Sequence, residues 1–178
     1  DDLNTVEIPG GSIRTFGLNL ESRYKSTLKH RRVIVAKEDA TRSFSFDFPI
    51  SPTALWDWIN DPDKRTRWFI LKWSARSRPN GRTGTGAVNH CYHGIGDTLE
   101  TILDWHPFEY YTSEYRLRPF NIVMQQTTQF ESLSDHRTRL HLNIKPADES
   151  AGWLTISMCK LFAGYEKYAF KRLLRKAA

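Results

Sequence analysis

The densest group of reactive side chains in the sequence is His90, Cys91 and His93. If this segment is a strand, Cys91 and His93 share one face, where a thiol and an imidazole could form a nucleophilic pair or bind a metal. A structural zinc site needs four ligands, and the sequence offers no second ligand cluster at a matching spacing. We therefore expect no metal and no cofactor. The alternatives are a packed thiol beside hydrogen-bonded histidines, or polar groups that orient a ligand.

Two carboxylates follow on the next predicted strand. Glu100 and Asp104 lie four residues apart and would share a strand face. A buried carboxylate close to a histidine could act as a general base, so His90, His93 and Glu100 are the catalytic candidates if the protein is an enzyme. Charged residues are rarely buried, and exposed carboxylates on the convex face of the sheet are the favoured interpretation.

A third polar segment runs from Gln125 to Gln129 and places polar side chains on both faces of a predicted strand. One inward glutamine or threonine could offer a ligand a hydrogen bond inside an otherwise apolar cavity. A solvent-exposed strand at the edge of the sheet explains the same pattern equally well.

The elements that position these residues begin with a strand over 43–48, where phenylalanine alternates with polar residues. Ser51-Pro52 and Asp61-Pro62 each place a capping side chain before a proline, which is typical of a helix start. Two short helices should therefore follow the first strand. The second of them should cover residues 63–67.

Six further strands are separated by turn residues and have no helix between them, which predicts an antiparallel meander. They cover residues 70–77, 87–93, 98–105, 109–117, 121–131 and 137–145. Ser150 then opens a helix of about 27 residues and roughly 40 Å. Its predicted apolar face is formed by Leu154, Met158, Leu161, Tyr165 and Tyr168.

The sequence resembles the START-like superfamily in two ways. The segment from Phe48 to Pro62, followed by Arg67-Trp68, is similar to a motif of that superfamily, and so is the element order β-αα-ββββββ-α. This superfamily is also called SRPBCC and includes the polyketide cyclase/dehydrase and aromatase-type domains. The resemblance covers about residues 43–176. The stretches 84–94 and 100–108 are also similar to superfamily members that occur beside nucleotide-cyclase domains in bacterial proteins.

The resemblance implies a helix-grip fold of the α+β class, in which a curved antiparallel sheet surrounds a long C-terminal helix and leaves an apolar cavity. Strand parity does not decide which alternate side chains point inward, and the alternative is that the aromatic rings fill a solid core. The expected ligand-binding residues are Trp73, Tyr92, Leu103, Tyr115, Met124, Gln126, Leu142, Trp153, Phe162 and Tyr165.

Members of this superfamily bind lipids, sterols, polyketides or other apolar molecules, and only some are enzymes. The implied function is therefore noncatalytic binding of an apolar small molecule, as a sensor domain of a larger protein. The alternative is an enzyme of the cyclase, dehydratase or aromatase type that uses His90 or His93 with Glu100.

The bulk composition is consistent with one globular domain. The chain has 178 residues, 39% of them hydrophobic, and a net charge of +6. Many cations lie in the last segment, where a solvated helix face is the favoured explanation and peripheral contact with an acidic membrane or partner is the alternative. The arginines at 76–82 and 116–118 come with no recognition motif, so we expect no nucleic-acid partner.

The ends of the chain suggest its organisation. Residues 1–40 lack a sustained period and are interpreted as an N-terminal arm or linker, and residues 41–178 as the START-like domain. Two cysteines, no signal peptide and no run of about 18 apolar residues favour a cytoplasmic location. The chain opens with Asp1-Asp2, which favours a domain of a longer protein with neighbouring domains.

Overall fold

The structure is a computed structural model, and it describes residues 7–8, 11–12, 32–69, 72–78, 83–92, 97–118, 120–148 and 150–177. The side chains of residues 7–8 and 11–12 and of Pro62, Lys72, Trp73, Ala75, Tyr92 and Ala177 lie outside that description. The chain divides into two compact units, Asp1–Arg32 and Val33–Ala178. In the first unit, strands β1 (Glu7–Ile8) and β2 (Gly11–Ser12) pair antiparallel.

The second unit is built on a seven-stranded antiparallel sheet with the spatial order β3-β9-β8-β7-β6-β5-β4. The strands are β3 (Arg42–Phe48), β4 (Lys72–Ser77), β5 (Val88–Tyr92), β6 (Asp97–His106), β7 (Tyr110–Leu117), β8 (Ile122–Ser134) and β9 (Arg137–Pro146). Helices α1 (Pro52–Asn60) and α2 (Pro62–Trp68) lie between β3 and β4, and α3 (Trp153–Ala177) ends the chain. The predicted α+β class and the predicted element order are confirmed.

The two short helices begin where the capping pattern predicts. The Ser51 hydroxyl accepts a hydrogen bond from the Ala54 amide at 3.3 Å, and the Asp61 carboxylate accepts one from the Lys64 amide at 2.9 Å. A proline follows each cap in the first turn. The Trp68 indole also donates to the Trp58 carbonyl at 2.9 Å, which ties α2 to α1.

Two groups of buried apolar side chains lie between the helices and the inner face of the sheet, the face that packs on α3. We call them the large and the small apolar cluster. The large one contains Phe46, Phe48, Leu55, Trp56, Ile59, Trp68, Phe69, Ala87, Cys91, Ile102, Tyr111, Phe130, Leu140, Leu142, Ala169, Phe170 and Leu173. The small one contains Tyr115, Ile122, Met124, Ile144, Cys159, Phe162 and Ala163.

The prediction of the apolar face of α3 is wrong. Leu154, Leu161 and Tyr168 are exposed, and Met158 and Tyr165 are half-buried. Phe162 follows Leu161 and is turned by about 100° around the helix, which brings it to the sheet. The buried face includes the small side chains of Cys159, Ala163 and Ala169, so the positions of the large apolar residues do not mark it.

The outer face of the sheet is partly covered by residues 33–36. The Val35 amide donates to the Thr127 hydroxyl at 2.7 Å, and the Asn143 amide group donates to the Val35 carbonyl at 3.1 Å. The Val33 amide donates to Asp104 at 2.9 Å. The segment therefore contacts side chains of the sheet.

Candidate functional site

A group of buried polar side chains lies on the inner face, between the sheet and the helices. We call it the inner polar cluster; it consists of Arg65, Asn89, Glu100, Ser113, Tyr115, Gln126, Thr128 and Glu166. Each of these side chains is at most 5% exposed. Buried polar groups are costly unless they are hydrogen-bonded, so their partners decide what the cluster can do.

Glu100 is the centre of the cluster, and its two oxygens accept from four donors. Oε1 accepts from the Tyr115 hydroxyl at 2.8 Å and from the Ser113 hydroxyl at 3.2 Å. Oε2 accepts from the Asn89 amide group at 3.0 Å and lies 3.2 Å from Arg65 Nη1. A carboxylate offers about four lone-pair directions, so these donors use the hydrogen-bonding capacity of Glu100.

Arg65 reaches Glu100 from α2, whose start is set by the Asp61 cap. The first turn of α2 is closed by the hydrogen bond from the Arg65 amide to the Asp61 carbonyl at 2.8 Å. The guanidinium also lies over the Phe69 ring, 5.1 Å from its centroid. The capped helix therefore carries a positive charge into the interior, where Glu100 offsets it.

Gln126 connects the sheet to α3. Its Nε2 donates to the Thr128 hydroxyl at 3.3 Å, and its side chain is also hydrogen-bonded to Glu166 on α3. Burial raises the pKa of Glu166 to about 7, although the nearby Arg65 charge and the Gln126 hydrogen bond favour the ionised form. Glu166 therefore changes its protonation state near neutral pH, in contact with the rest of the cluster.

Two amide oxygens of the cluster are left over. Asn89 Oδ1 and Gln126 Oε1 are buried and have no hydrogen-bond partner among the residues that the structure describes. Nearby, burial raises the pKa of the Tyr111 and Tyr115 hydroxyls, which therefore stay protonated. Fully buried acceptors without a donor are rare in folded proteins and call for a physical explanation.

The polar cluster lies between the two apolar clusters along several elements. On β8, Gln126 and Thr128 separate Met124 of the small cluster from Phe130 of the large one. On α3, Glu166 separates Ala163 from Ala169 in the same way. A molecule held here would contact apolar side chains on both sides of a polar centre, which is the usual composition of a small-molecule site.

Of the predicted ligand-binding residues, five are buried on the inner face: Tyr115, Met124, Gln126, Leu142 and Phe162. Tyr165 is half-buried, with its ring 5.8 Å from that of Phe69. The structure brings these residues together around the polar cluster. Their role in ligand binding stays a prediction.

The structure describes the side chains of two of the remaining predicted lining residues, Leu103 and Trp153. Trp153, at the first turn of α3, is 78% exposed, so its expected inward position is wrong. Leu103 is the extra residue of a β-bulge in β6 and is half-buried. The side chains of Trp73 and Tyr92 lie outside the described residues.

His90 and Cys91 lie on opposite faces of the strand. Cys91 is buried on the inner face, and burial raises the pKa of its thiol well above the usual range. His90 is half-buried on the opposite face, where its Nε2 lies 3.2 Å from Asp97. His90 and Glu100 therefore do not form an acid–base pair. His93 lies outside the described residues.

Two expectations about the carboxylates of β6 are wrong. Glu100 is 0% exposed, whereas the sequence favoured an exposed position on the convex face. Asp104 does not share its face, because the bulge between Ile102 and Asp104 shifts the alternation by one residue. Asp104 instead accepts from the Tyr110 hydroxyl at 2.9 Å on the outer face.

Sequence reasoning missed four members of the cluster: Arg65, Asn89, Ser113 and Glu166. Arg65 lies in a short helix among other charged residues, and the composition of that helix does not indicate that any of its charged side chains is buried. Glu166 had a usable signal, because it is the one acidic residue in α3 among six lysines and arginines. A single carboxylate in such a helix is a candidate for an inward position.

Two further properties of the described part of the chain bear on function. No three His, Cys, Asp or Glu side chains in it are grouped closely enough to hold a metal ion. None of its helices combines the length and the apolar character that crossing a membrane requires.

Neither a protein-family model nor a curated protein matches the sequence, but solved structures share the fold. DynU16, a protein in the dynemicin biosynthetic locus, is 16% identical with a TM-score of 0.57 over 75% of this chain; the match spans 45% of DynU16. CalU16 from Micromonospora echinospora is 16% identical with a TM-score of 0.55, over 76% of this chain and 74% of its own. Aha1 from Colwellia psychrerythraea, solved as a dimer, is 12% identical with a TM-score of 0.53, over 74% and 93%.

These similarities agree with the seven-stranded antiparallel sheet, the paired short helices and the long C-terminal helix described above. At such low identity they establish the architecture and leave the activity open. The chain has the helix-grip fold that its resemblance to the START-like, or SRPBCC, superfamily implies.

Proposed function

We propose that the protein binds a small, largely apolar molecule between the sheet and α3, and that the inner polar cluster orients it. The proposed role is noncatalytic, and in a longer chain such a unit could report the bound ligand to a neighbouring domain. The observation that carries the proposal is the buried cluster itself, with the Asn89 and Gln126 amide oxygens left over between two apolar clusters.

Three considerations support this function. Small-molecule sites combine apolar walls with a few convergent polar groups, as at this interface. Buried acceptors without a donor are explained if a ligand supplies the donor. DynU16, which has the same fold, belongs to a biosynthetic locus, a setting in which small molecules are made and handled.

The proposal is tested by native mass spectrometry of the purified chain, followed by solvent extraction of any molecule that copurifies. We expect a bound species whose mass matches an extracted compound. A thermal-shift screen with lipids and aromatic polyketides gives an independent reading. An unliganded mass in every preparation, together with no thermal shift across the screen, would refute ligand binding.

A matched pair of variants locates the site. Gln126→Leu removes the inward amide of β8, whereas Gln125→Leu removes the neighbouring amide on the outer face of the same strand. We expect the first variant to lose the copurified molecule and the second to retain it. Equal retention by both variants would place binding elsewhere.

An acid–base enzyme is a second candidate, favoured by one observation: Glu166 lies in the cluster with its pKa raised by burial to about 7. In this version Glu166 replaces His90 and Glu100, because His90 faces away and Glu100 has four donors. The extracted molecule would be returned to the protein in D₂O and followed by mass spectrometry. Deuterium uptake that Glu166→Gln abolishes would support catalysis, and no uptake would leave binding as the function.

A further inference from the structure

The inner polar cluster has two hydrogen-bond acceptors left over. Glu100 receives donors from Arg65, Asn89, Ser113 and Tyr115 and has no lone-pair direction left for a ligand. The amide oxygens of Asn89 and Gln126 are the buried side-chain atoms of the cluster that still lack a partner in the described structure and can only accept. A bound molecule would therefore have to supply donors.

The orientation of both amides follows from their other contacts. Asn89 Nδ2 lies 3.0 Å from a carboxylate oxygen of Glu100, and a carboxylate can only accept, so the nitrogen must face it. While Glu166 is ionised, its carboxylate can only accept, so the Gln126 nitrogen faces it in their hydrogen bond. Flipping the Asn89 amide, or the Gln126 amide beside an ionised Glu166, would break these bonds, so the two oxygens are presented to the ligand.

The two acceptors are too far apart to bind one hydroxyl. Asn89 lies on β5 and Gln126 on β8, with β6 and β7 between them. At the usual strand spacing the three steps amount to about 14 Å along the sheet. The side chains between and around them are largely apolar or are already paired, so the remainder of a ligand would have to be apolar.

The charge of the surroundings argues against a cationic donor. Arg65 contributes one positive charge and Glu100 one negative charge, and they offset each other at 3.2 Å. Glu166 is half-neutralised near neutral pH, which leaves little net charge to compensate a buried ammonium group. Neutral hydroxyl groups satisfy the acceptors without that cost.

We propose that the ligand is a neutral molecule with hydroxyl groups at two separated positions on an apolar frame, and that these hydroxyls donate to Asn89 Oδ1 and Gln126 Oε1. This inference rests on the proposed function, because it names the chemical class that the same site would take. It also makes a distinction: a fatty acid or a hydrocarbon would fill the apolar walls but leave both acceptors unsatisfied.

The test uses fused-ring diols of two to four rings, each compared with its dimethyl ether and with its bis(aminomethyl) analogue. Dissociation constants are measured by isothermal titration calorimetry on the full chain. We expect at least one diol to bind roughly tenfold or more tightly than its dimethyl ether, since each hydroxyl forms a hydrogen bond that the ether cannot form. The ethers are the more apolar compounds, so a general preference for apolar molecules would make the ethers bind more tightly than the diols.

Two variants assign the preference to a residue. Gln126→Met removes the inward acceptor and should reduce the diol-to-ether ratio several-fold, whereas Gln125→Met, on the outer face of the same strand, should leave it unchanged. Thermal melts of both variants establish that they fold. Ethers or diamines that bind as well as the diols would overturn the inference while ligand binding stands. No binding by any compound of the series would overturn the inference and count against the proposed function.

Discussion

Replacing Arg65 by methionine should lower the free energy of unfolding by about 3–5 kcal/mol, because it leaves a carboxylate buried without its counter-charge. Arg65 is 5% exposed and Glu100 0%, and the two charged groups approach to 3.2 Å. The neutral donors of Ser113, Tyr115 and Asn89 remain in the variant and partly solvate the carboxylate, which favours the lower end of this range. For a unit of this size, the loss corresponds to a melting temperature lower by about 6–20 °C.

The measurement is urea unfolding followed by tryptophan fluorescence, for which the chain has six tryptophans. The matched control is Arg139→Met, which removes an ion pair at the surface; Arg139 Nε lies 2.7 Å from Asp47, closer than the two groups of the buried pair. Solvent screening makes that pair weak, so its loss should shift the unfolding midpoint much less. Equal midpoints for the two variants would refute the argument that burial makes the Arg65–Glu100 pair different.

A double variant tests the coupling directly. Arg65→Met with Glu100→Leu removes both charges together and should be more stable than the sum of the two single effects predicts. The coupling reflects the unpaired charge that each single variant leaves in the interior. If the two effects simply add, the ion pair contributes no interaction of its own.

Three further predictions concern pH, thiol reactivity and the outer face. Folding raises the pKa of Glu166 from 4.5 to about 7, so between these pH values the folded state binds a proton that the unfolded state releases. Relative to Glu166→Gln, the wild-type protein should therefore lose about 3 kcal/mol of stability as pH rises from about 4.5 to about 7. If the stability difference between the two proteins in urea unfolding stays constant over this pH range, the prediction is wrong. Burial raises the pKa of Cys91 well above its usual range and that of Cys159 to about 11, so a thiol reagent at pH 8 should label both cysteines only after urea is added. Thr127→Val leaves the Val35 amide without its acceptor and should destabilise the fold by about 1–3 kcal/mol and speed hydrogen exchange at that amide; unchanged exchange would show that the bond does not hold residues 33–36.

The fold was largely predictable because its signals are local. Alternating phenylalanines over 43–48 predict the first strand, and the caps Ser51 and Asp61 predict the helix starts. The strands from β6 to β9 are bounded by turn residues and were predicted to within three residues at each end. The buried face of α3 was not predictable from its large apolar residues, because the small side chains of Cys159, Ala163 and Ala169 form part of it and allow close packing against the sheet.

The candidate site was harder to predict because it depends on pairing between distant residues. Glu100 seemed exposed since a lone carboxylate normally is, and the counter-charge that permits its burial comes from Arg65, 35 positions away in the sequence. The bulge after Ile102 also has no clear sequence signal, yet it decides that Asp104 faces the opposite side from Glu100. Gln126 was identified from the sequence because a glutamine within a polar strand segment is unusual whichever way it faces.

The arrangement of the inner polar cluster favours recognition over stability as its physical role. A buried ion pair can often be replaced by well-packed apolar side chains at no loss of stability, so a helix-grip core has no energetic need for Arg65 and Glu100. What the pair does is hold other groups: Glu100 fixes the Asn89 amide, and Arg65 allows the Glu100 carboxylate to be buried there at all. Glu100 thereby orients the Asn89 amide, whereas Thr128 and Glu166 hold the Gln126 amide. Such preorganisation would reduce the entropy lost when the proposed ligand binds. An interior built only for packing would not maintain rigid acceptors that none of its own described groups satisfies.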